Sequence, residues 1–181
     1  ADKIVVPTIP GSAASGSVAM YHMVGITPEA RSLDEVLGGR PALETNRVSR
    51  ADLDRVMEQM GPVREGPVDV VGIGCPHASI DQLGRYAALL EGQRVHPDVQ
   101  LWVCANEVVE AMARRLGYAQ TIERAGAHFL VGTCHNDCPL DAWRFRRLVT
   151  DSGKFAYYTP TTVGTECVFT STEGCIRAAI A

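Results

Sequence analysis

Cysteine, histidine and serine side chains are gathered in residues 74–79 of this 181-residue chain, which read Gly-Cys-Pro-His-Ala-Ser and follow an apolar run. The glycine permits a tight turn and the proline ends the strand, so Cys75 is placed just ahead of a helix. The electropositive N-terminus of a helix favours the thiolate, which is the form of cysteine that binds metals or attacks substrates. The alternative for this stretch is a buried thiol beside a helix-capping Ser79.

A second concentration of reactive side chains lies in residues 132–139, which read Gly-Thr-Cys-His-Asn-Asp-Cys-Pro. The spacing of Cys134 and Cys138 differs from that of common zinc sites, and no second pair follows at the usual distance. Iron–sulfur clusters accept thiolates from distant parts of a chain, so Cys75 and Cys134 are candidates to share one cluster across neighbouring strand ends. The alternative is a polar loop with one half-buried cysteine.

The third stretch ends in Ser152, Gly153 and Lys154 and opens a helical turn. Backbone N–H groups, a hydroxyl and an ammonium in one place suit a carboxylate or a phosphate. The spacing is not that of a phosphate-binding P-loop. The alternative is a helix N-cap followed by a solvated lysine.

The remaining cysteines and the net charge exclude several classes of protein. Cys104, Cys167 and Cys175 lie in apolar contexts and are predicted to be core residues. A chain with 46% hydrophobic residues does not resemble a small disulfide-stapled secreted domain, so we expect reduced thiols and a cytoplasmic location. The formal charge of −4 argues against a nucleic-acid partner, and no apolar run reaches the roughly 18–20 residues that cross a membrane.

Apolar runs alternate with helical patterns from residue 68 onward. Predicted strands cover residues 68–74, 99–104, 127–131, 146–150 and 166–169. Predicted helices cover residues 79–90, 107–116 and 119–125, and a last short helix opens at residue 172. This alternation predicts an α/β fold, a layered α/β/α sandwich with a mostly parallel sheet. The three reactive stretches would then lie at the carboxyl ends of strands, where such sheets bind ligands.

The first third of the chain has a different pattern. Residues 11–25 are rich in small side chains and predict a helix, and Thr27 followed by Pro28 is typical of a second helix start. A further helix is predicted to end at Met60, before a Gly-Pro pair. We therefore expect residues 1–65 to form a helical lead-in to an α/β/α domain over residues 66–181.

The three stretches, in this order, resemble the aconitase X family. The resemblance extends to residues 16–30 and to the closing Phe-Thr-Ser-Thr-Glu-Gly-Cys of residues 169–175, and it covers nearly the whole chain. It implies an aconitase-like domain of a hydro-lyase that holds an iron–sulfur cluster, of the 2Fe-2S or 4Fe-4S type. The match is to the C-terminal portion of the family's large subunit. The implied partners are therefore the N-terminal part of that subunit, on which residues 1–65 would pack, and a small swivelling subunit or domain.

The resemblance also implies roles for single residues. It makes Cys75 and Cys134 cluster ligands. Cys138, which the family pattern does not include, is either a replacement for a missing ligand or a spectator. It places Ser152 and Lys154 at the substrate as the catalytic pair. The implied substrate-binding residues are His77, Ser79 and Gly153.

Four residues depart from the family pattern. Gly132 stands where aspartate usually precedes the Thr-Cys pair, and Asp151 stands where asparagine usually precedes the Ser-Gly-Lys triplet. His135 and Cys138 are not expected in the loop after Cys134. These changes bear on cluster type and substrate more than on the family.

The resemblance implies dehydration of a small hydroxy acid, and the arginine-rich, lysine-poor composition favours the bacterial substrate cis-3-hydroxy-L-proline and hence hydroxyproline metabolism. One alternative is the archaeal dehydratase of mevalonate 5-phosphate, which would need a phosphate site built from Arg144, Arg146 or Arg147. Another is a non-catalytic module that binds a metal or senses redox state through its thiols.

Overall fold

The computed structural model of the chain describes Gly16 and residues 20–60, 66–138, 145–162 and 164–180. The strands are β1 (Val70–Ile73), β2 (Gln100–Ala105), β3 (Ala127–Val131), β4 (Arg147–Thr150) and β5 (Glu166–Phe169). The helices are α1 (Leu33–Leu37), α2 (Arg50–Met60), α3 (Ile80–Leu90), α4 (Glu107–Arg115), α5 (Tyr118–Arg124), α6 (Gly153–Thr162) and α7 (Thr172–Ile180). A short 3₁₀ turn covers His135–Asp137.

The five strands form one parallel sheet in the order β3-β2-β1-β4-β5, which confirms the predicted α/β fold. Along the chain, β2 pairs with β1 and β3 pairs with β2. Strand β4 then pairs with β1 on its other side. This change of direction leaves a crevice outside the carboxyl ends of β1 and β4, which is the usual ligand position in open α/β sheets.

The two faces of the sheet carry separate apolar cores, because successive side chains of a strand point to opposite faces. Val71 and Ile73 of β1 pack with α3, α5 and α7 on one face. Val70 packs on the other face with Trp102, Leu148 and Phe155 of α6. Helices on both faces complete the predicted sandwich, and the site described below lies at the end of the second face.

Helix α3 begins where its capping residues predict. The Ser79 hydroxyl accepts a hydrogen bond from the Gln82 amide (3.2 Å), and the Gln82 side chain accepts one from the Ser79 amide (2.9 Å). This reciprocal capping box satisfies two N–H groups that have no partner within the helix. Asn106 caps α4 in the predicted way, through Oδ1 and the Val109 amide (2.9 Å).

The first third of the chain departs from prediction. Residues 20–25, at the end of the predicted 11–25 helix, form a turn, and most of the rest of that helix lies outside the described residues. Thr27 and Pro28 belong to the same turn and do not start a helix, because the Thr27 hydroxyl accepts the Met23 amide (2.9 Å) and Gly25 has a φ of +80°. The short helix α1 was not predicted. Within the described ranges no helix combines the length and apolar character needed to cross a membrane.

Candidate active site

The loop after β1 is pinned against the end of β2. Gly74 has a φ of +80°, and a Cβ there would lie 2.5 Å from the Cys104 carbonyl oxygen. The same oxygen accepts a hydrogen bond from the Ala78 amide (3.0 Å). Only glycine allows this close approach without strain. The loop therefore presents Cys75 from a fixed backbone, at the crevice beside β4.

Cys75 and Cys134 meet at this edge of the sheet. Cys134, Ser152 and Lys154 all lie near enough to the Cys75 thiol to shift its pKa. Burial raises the pKa of Cys75, and the hydrogen bond from Ser152 and the positive charge of Lys154 oppose that increase. The two cysteines follow β1 and β3, which are separated by β2, so they do not end neighbouring strands as the sequence suggested.

His77 connects the two cysteine loops. Its Nε2 lies 2.8 Å from the carbonyl oxygen of Thr133, the residue before Cys134. Because a carbonyl only accepts, Nε2 carries the proton, which leaves Nδ1 of the neutral ring as an acceptor. The exposed His77 ring therefore braces the loops and still offers one nitrogen to a ligand.

Ser152 and Lys154 follow β4 and stand across the crevice from Cys75. The Thr150 hydroxyl donates to the Gly72 carbonyl oxygen (2.6 Å) and accepts the Ser152 amide (3.1 Å), which fixes the turn between strand and helix. The Ser152 hydroxyl oxygen accepts the Phe155 amide (3.1 Å) and so caps α6. Ser152 is 2% exposed, and Gly153, the first residue of α6, is also buried.

The other cysteines divide as predicted between core and loop. Cys104, Cys167 and Cys175 are buried free thiols, and burial raises the pKa of Cys167 to about 12. Cys138 is half-buried, and its Sγ lies 3.7 Å from the Cys134 carbonyl oxygen. No group of three or more histidine, cysteine or acidic side chains in the described ranges is arranged to hold a metal ion.

Models of two domains match most of the chain. The model described as aconitase X third domain matches residues 68–181, and that described as aconitase X second domain matches residues 10–58. The chain belongs to the aconitase X family.

Related members of the aconitase X family include two kinds of dehydratase. The chain is 37% identical over 168 residues to the cis-3-hydroxy-L-proline dehydratase of Pseudomonas aeruginosa, covering 92% of this chain and 29% of that protein. It is 33% identical over 165 residues to the phosphomevalonate dehydratase large subunit of Methanocaldococcus jannaschii, covering 91% of this chain and 40% of that subunit.

A solved aconitase X structure has the same fold. The holo-form of aconitase X from Thermococcus kodakaraensis superposes with a TM-score of 0.83 at 30% sequence identity, over 99% of this chain and 44% of that one. The chain therefore spans less than half the length of each of these three aconitase X proteins.

Gly132, one of the departures from the aconitase X pattern, has a structural explanation. Its φ is +66°, and the Glu107 carboxylate at the start of α4 occupies the space that a side chain at position 132 would need. A left-handed backbone and this close carboxylate both favour glycine. The Glu107 carboxylate thus lies where a side chain of residue 132 would be.

His135, the second departure, is not among the residues for which the sequence predicts a function. Its ring is completely buried, and neither ring nitrogen makes a well-aligned hydrogen bond within the part of the chain that the structure describes. Burial lowers the pKa of His135 to about 4, so the ring is neutral at physiological pH. The signal in the sequence was Gly72, because a glycine inside a strand often marks a close approach by another group.

Asp151, the third departure, ties the turn after β4 to α7. Its Oδ2 accepts the Thr172 hydroxyl (2.6 Å). Burial raises the pKa of Asp151, the Thr172 hydrogen bond and the charge of Arg85 oppose the increase, and Glu173 adds to it. The carboxylate thus holds the residue before Ser152 against the N-terminal turn of the last helix.

Asp151→Asn keeps an oxygen acceptor for Thr172 and removes the charge. Because the pKa of Asp151 is higher in the folded chain than the unfolded value of about 3.9, the folded state retains the proton to higher pH and loses stability as pH rises. Asparagine does not titrate, so the free energy of unfolding of the variant, relative to wild type, should increase from about pH 4 to pH 7. Urea unfolding of the complete protein at several pH values measures this difference, and a difference that shrinks with rising pH contradicts it.

Proposed function

We propose that this chain forms the cluster-bearing part of an iron–sulfur-dependent hydro-lyase that removes water from cis-3-hydroxy-L-proline. The observation that carries the proposal is the meeting of Cys75 and Cys134 with Ser152 and Lys154 in the crevice between β1 and β4. Two thiols, a hydroxyl and an ammonium in one crevice supply metal ligands, a proton acceptor and an anion-binding group. The family relationship supports the same reaction type.

The donor set suits an iron–sulfur cluster. Cys75 and Cys134 would hold it, and Cys138 lies close enough to the Cys134 loop to be a further candidate. Binding requires the Cys75 proton to leave, and the positive charge of Lys154 favours the resulting thiolate. Other ligands would come from segments outside the described ranges. When bound, an iron with an open coordination position supplies Lewis acidity for a departing hydroxide.

Side chains of this chain would bind the substrate and transfer its proton. The Lys154 ammonium, beside the electropositive start of α6 at Gly153, binds the substrate carboxylate. Ser152, after its own hydroxyl proton has passed to water in the crevice, takes the proton from the carbon next to that carboxylate, and the nearby Lys154 charge favours the deprotonated hydroxyl. His77 through Nδ1 and Ser79 through its hydroxyl proton line the opposite wall and contact the rest of the substrate.

The arginine positions favour the unphosphorylated substrate. The amides of Arg146 and Arg147 bind Asp69 Oδ2 (2.8 Å each), and Arg147 Nη2 lies 3.0 Å from Glu166 Oε2. These contacts lie at the amino ends of the strands, across the sheet from Cys75. Arg144 is outside the described residues. The alternative substrate, phosphomevalonate, therefore gains no phosphate site from the Arg146 and Arg147 amides or from the Arg147 guanidinium.

The exposed apolar side chains of residues 20–60 support a larger assembly. Ala30 alone is buried among residues 20–60, whereas Met20 is 76% and Ile26 60% exposed. Exposed apolar side chains at this density are typical of a surface that another segment covers. We assign that role to the N-terminal part of the large subunit, with a small swivelling subunit or domain closing over the crevice. The six free thiols agree with a reducing compartment such as the cytoplasm.

Anaerobic purification of the complete enzyme with its partner segments tests the proposal. The expected result is bound iron and sulfide together with elimination of water from cis-3-hydroxy-L-proline. Turnover of phosphomevalonate alone would support the alternative substrate. Bound iron without turnover of either compound would instead indicate a non-catalytic metal-binding or redox module.

A further inference from the structure

We propose that His135 is a positioning residue that sets the place of the Cys134 thiol through the packing of its ring. The inference deepens the proposed function, since Cys134 is one of the two thiols assigned to the cluster. It rests on how the His135 ring is held and on what the ring does to its loop.

The His135 ring packs against two aromatic side chains of the second sheet face. It stacks on Phe155 of α6, with ring centroids 4.9 Å apart and an interplanar angle of 21°. It also lies nearly parallel to the Trp102 ring of β2, at 6.4 Å and 13°. A Cβ at Gly72 would lie 3.1 Å from Phe155 Cε1 and 3.2 Å from His135 Nε2, so a side chain there would press on both rings.

The packed His135 ring anchors the loop that carries Cys134. Cys134 directly precedes the His135–Asp137 turn, and its carbonyl oxygen accepts the Asp137 amide (3.0 Å). Among the described side chains of this loop, His135 is fully buried, Cys138 is half-buried against the same core, and Asp137 is exposed. The position of the ring therefore fixes the Cys134 backbone, in addition to the His77 brace at Thr133.

The shape of the ring is the property that this packing uses. The ring contacts the Trp102 backbone, but neither of its nitrogens makes a well-aligned hydrogen bond in the part of the chain that the structure describes. A ring of similar shape without nitrogens should therefore fill the same space and keep Cys134 in place. Loss of the ring should open a cavity beside Trp102 and Phe155 and release the loop.

Alkylation of the reduced, metal-free complete protein tests this directly. Iodoacetamide labelling read by mass spectrometry gives the ratio of the labelling rates of Cys134 and Cys75. We expect His135→Ala to raise that ratio severalfold and His135→Phe to leave it at the wild-type value. After reconstitution with iron and sulfide, His135→Ala should bind iron about 10–100-fold more weakly, and His135→Phe should retain its iron content and absorption spectrum.

Ile122→Ala is the matched control, because it opens a cavity in the core on the opposite face of the sheet. It should lower the melting temperature without changing the labelling ratio. The proposal is overturned if His135→Phe behaves like His135→Ala, if the ratio in His135→Ala equals that of wild type, or if Ile122→Ala changes it equally. Should His135→Ala fail to fold, His135→Leu replaces it with the same expected direction. Because labelling needs no metal, failure of wild type to bind iron would refute the proposed function and leave this test intact.

Discussion

Cys75→Ser and Cys134→Ser should each abolish iron binding and turnover in the complete enzyme. The two thiols meet at one point, so loss of either leaves a single sulfur ligand from this part of the chain. Metal-based Lewis acidity is worth several kcal/mol in the transition state, and each 1.36 kcal/mol is tenfold in rate. We therefore expect turnover to fall by about 10³-fold or more, measured beside iron and sulfide content.

Cys167→Ala provides the matched control for the two ligand substitutions. Cys167 is a buried thiol on β5, and burial raises its pKa to about 12, so it stays protonated. The variant should retain iron, sulfide and turnover while losing some thermal stability through the lost packing. Iron content near the wild-type value in Cys134→Ser would show that this thiol is not a ligand.

The second large effect is expected from the catalytic pair after β4. Ser152→Ala removes the group assigned to proton transfer, so kcat should fall about 10²–10⁴-fold with little change in KM. Lys154→Met removes the ammonium assigned to the substrate carboxylate, so KM should rise. Steady-state kinetics of the iron-loaded enzyme separate the two roles. A rise in KM with unchanged kcat in Ser152→Ala would contradict its assignment as the proton acceptor.

Ser171→Ala separates catalysis from helix capping. Ser152 also caps α6, and loss of a cap costs about 1 kcal/mol of stability. Ser171 caps α7 in the same way, by accepting the Gly174 amide (3.1 Å). The two variants should therefore lose similar stability, and only Ser152→Ala should lose turnover.

Local patterns were enough to place most elements of the α/β domain. The strand before Gly74 was recognisable from its apolar run, and the start of α3 from Ser79, because both signals depend on near neighbours in the chain. Residues 20–30 misled for the same reason. The small side chains of residues 11–25 and the Thr27-Pro28 pair suit helices, but the side-chain hydrogen bond of Thr27 and the left-handed backbone of Gly25 stabilise a turn instead.

The arrangement of the site depended on contacts that no local pattern contains. The three reactive stretches were identified, but the strand order was not, so Cys75 and Cys134 were assigned to neighbouring strands although β2 separates them. The sequence alone predicts only a polar loop around His135. Its burial follows from Trp102 and Phe155, which are distant in sequence and come together only when α6 packs on the sheet.

Anomalous diffraction at the iron absorption edge, on anaerobic crystals of the complete enzyme, tests the central claim most directly. The account predicts one iron-containing peak within bonding distance of both Cys75 Sγ and Cys134 Sγ, facing the turn that carries Ser152 and Lys154. Iron held elsewhere in a protein that dehydrates its substrate, with both of these sulfurs unbound, would contradict it.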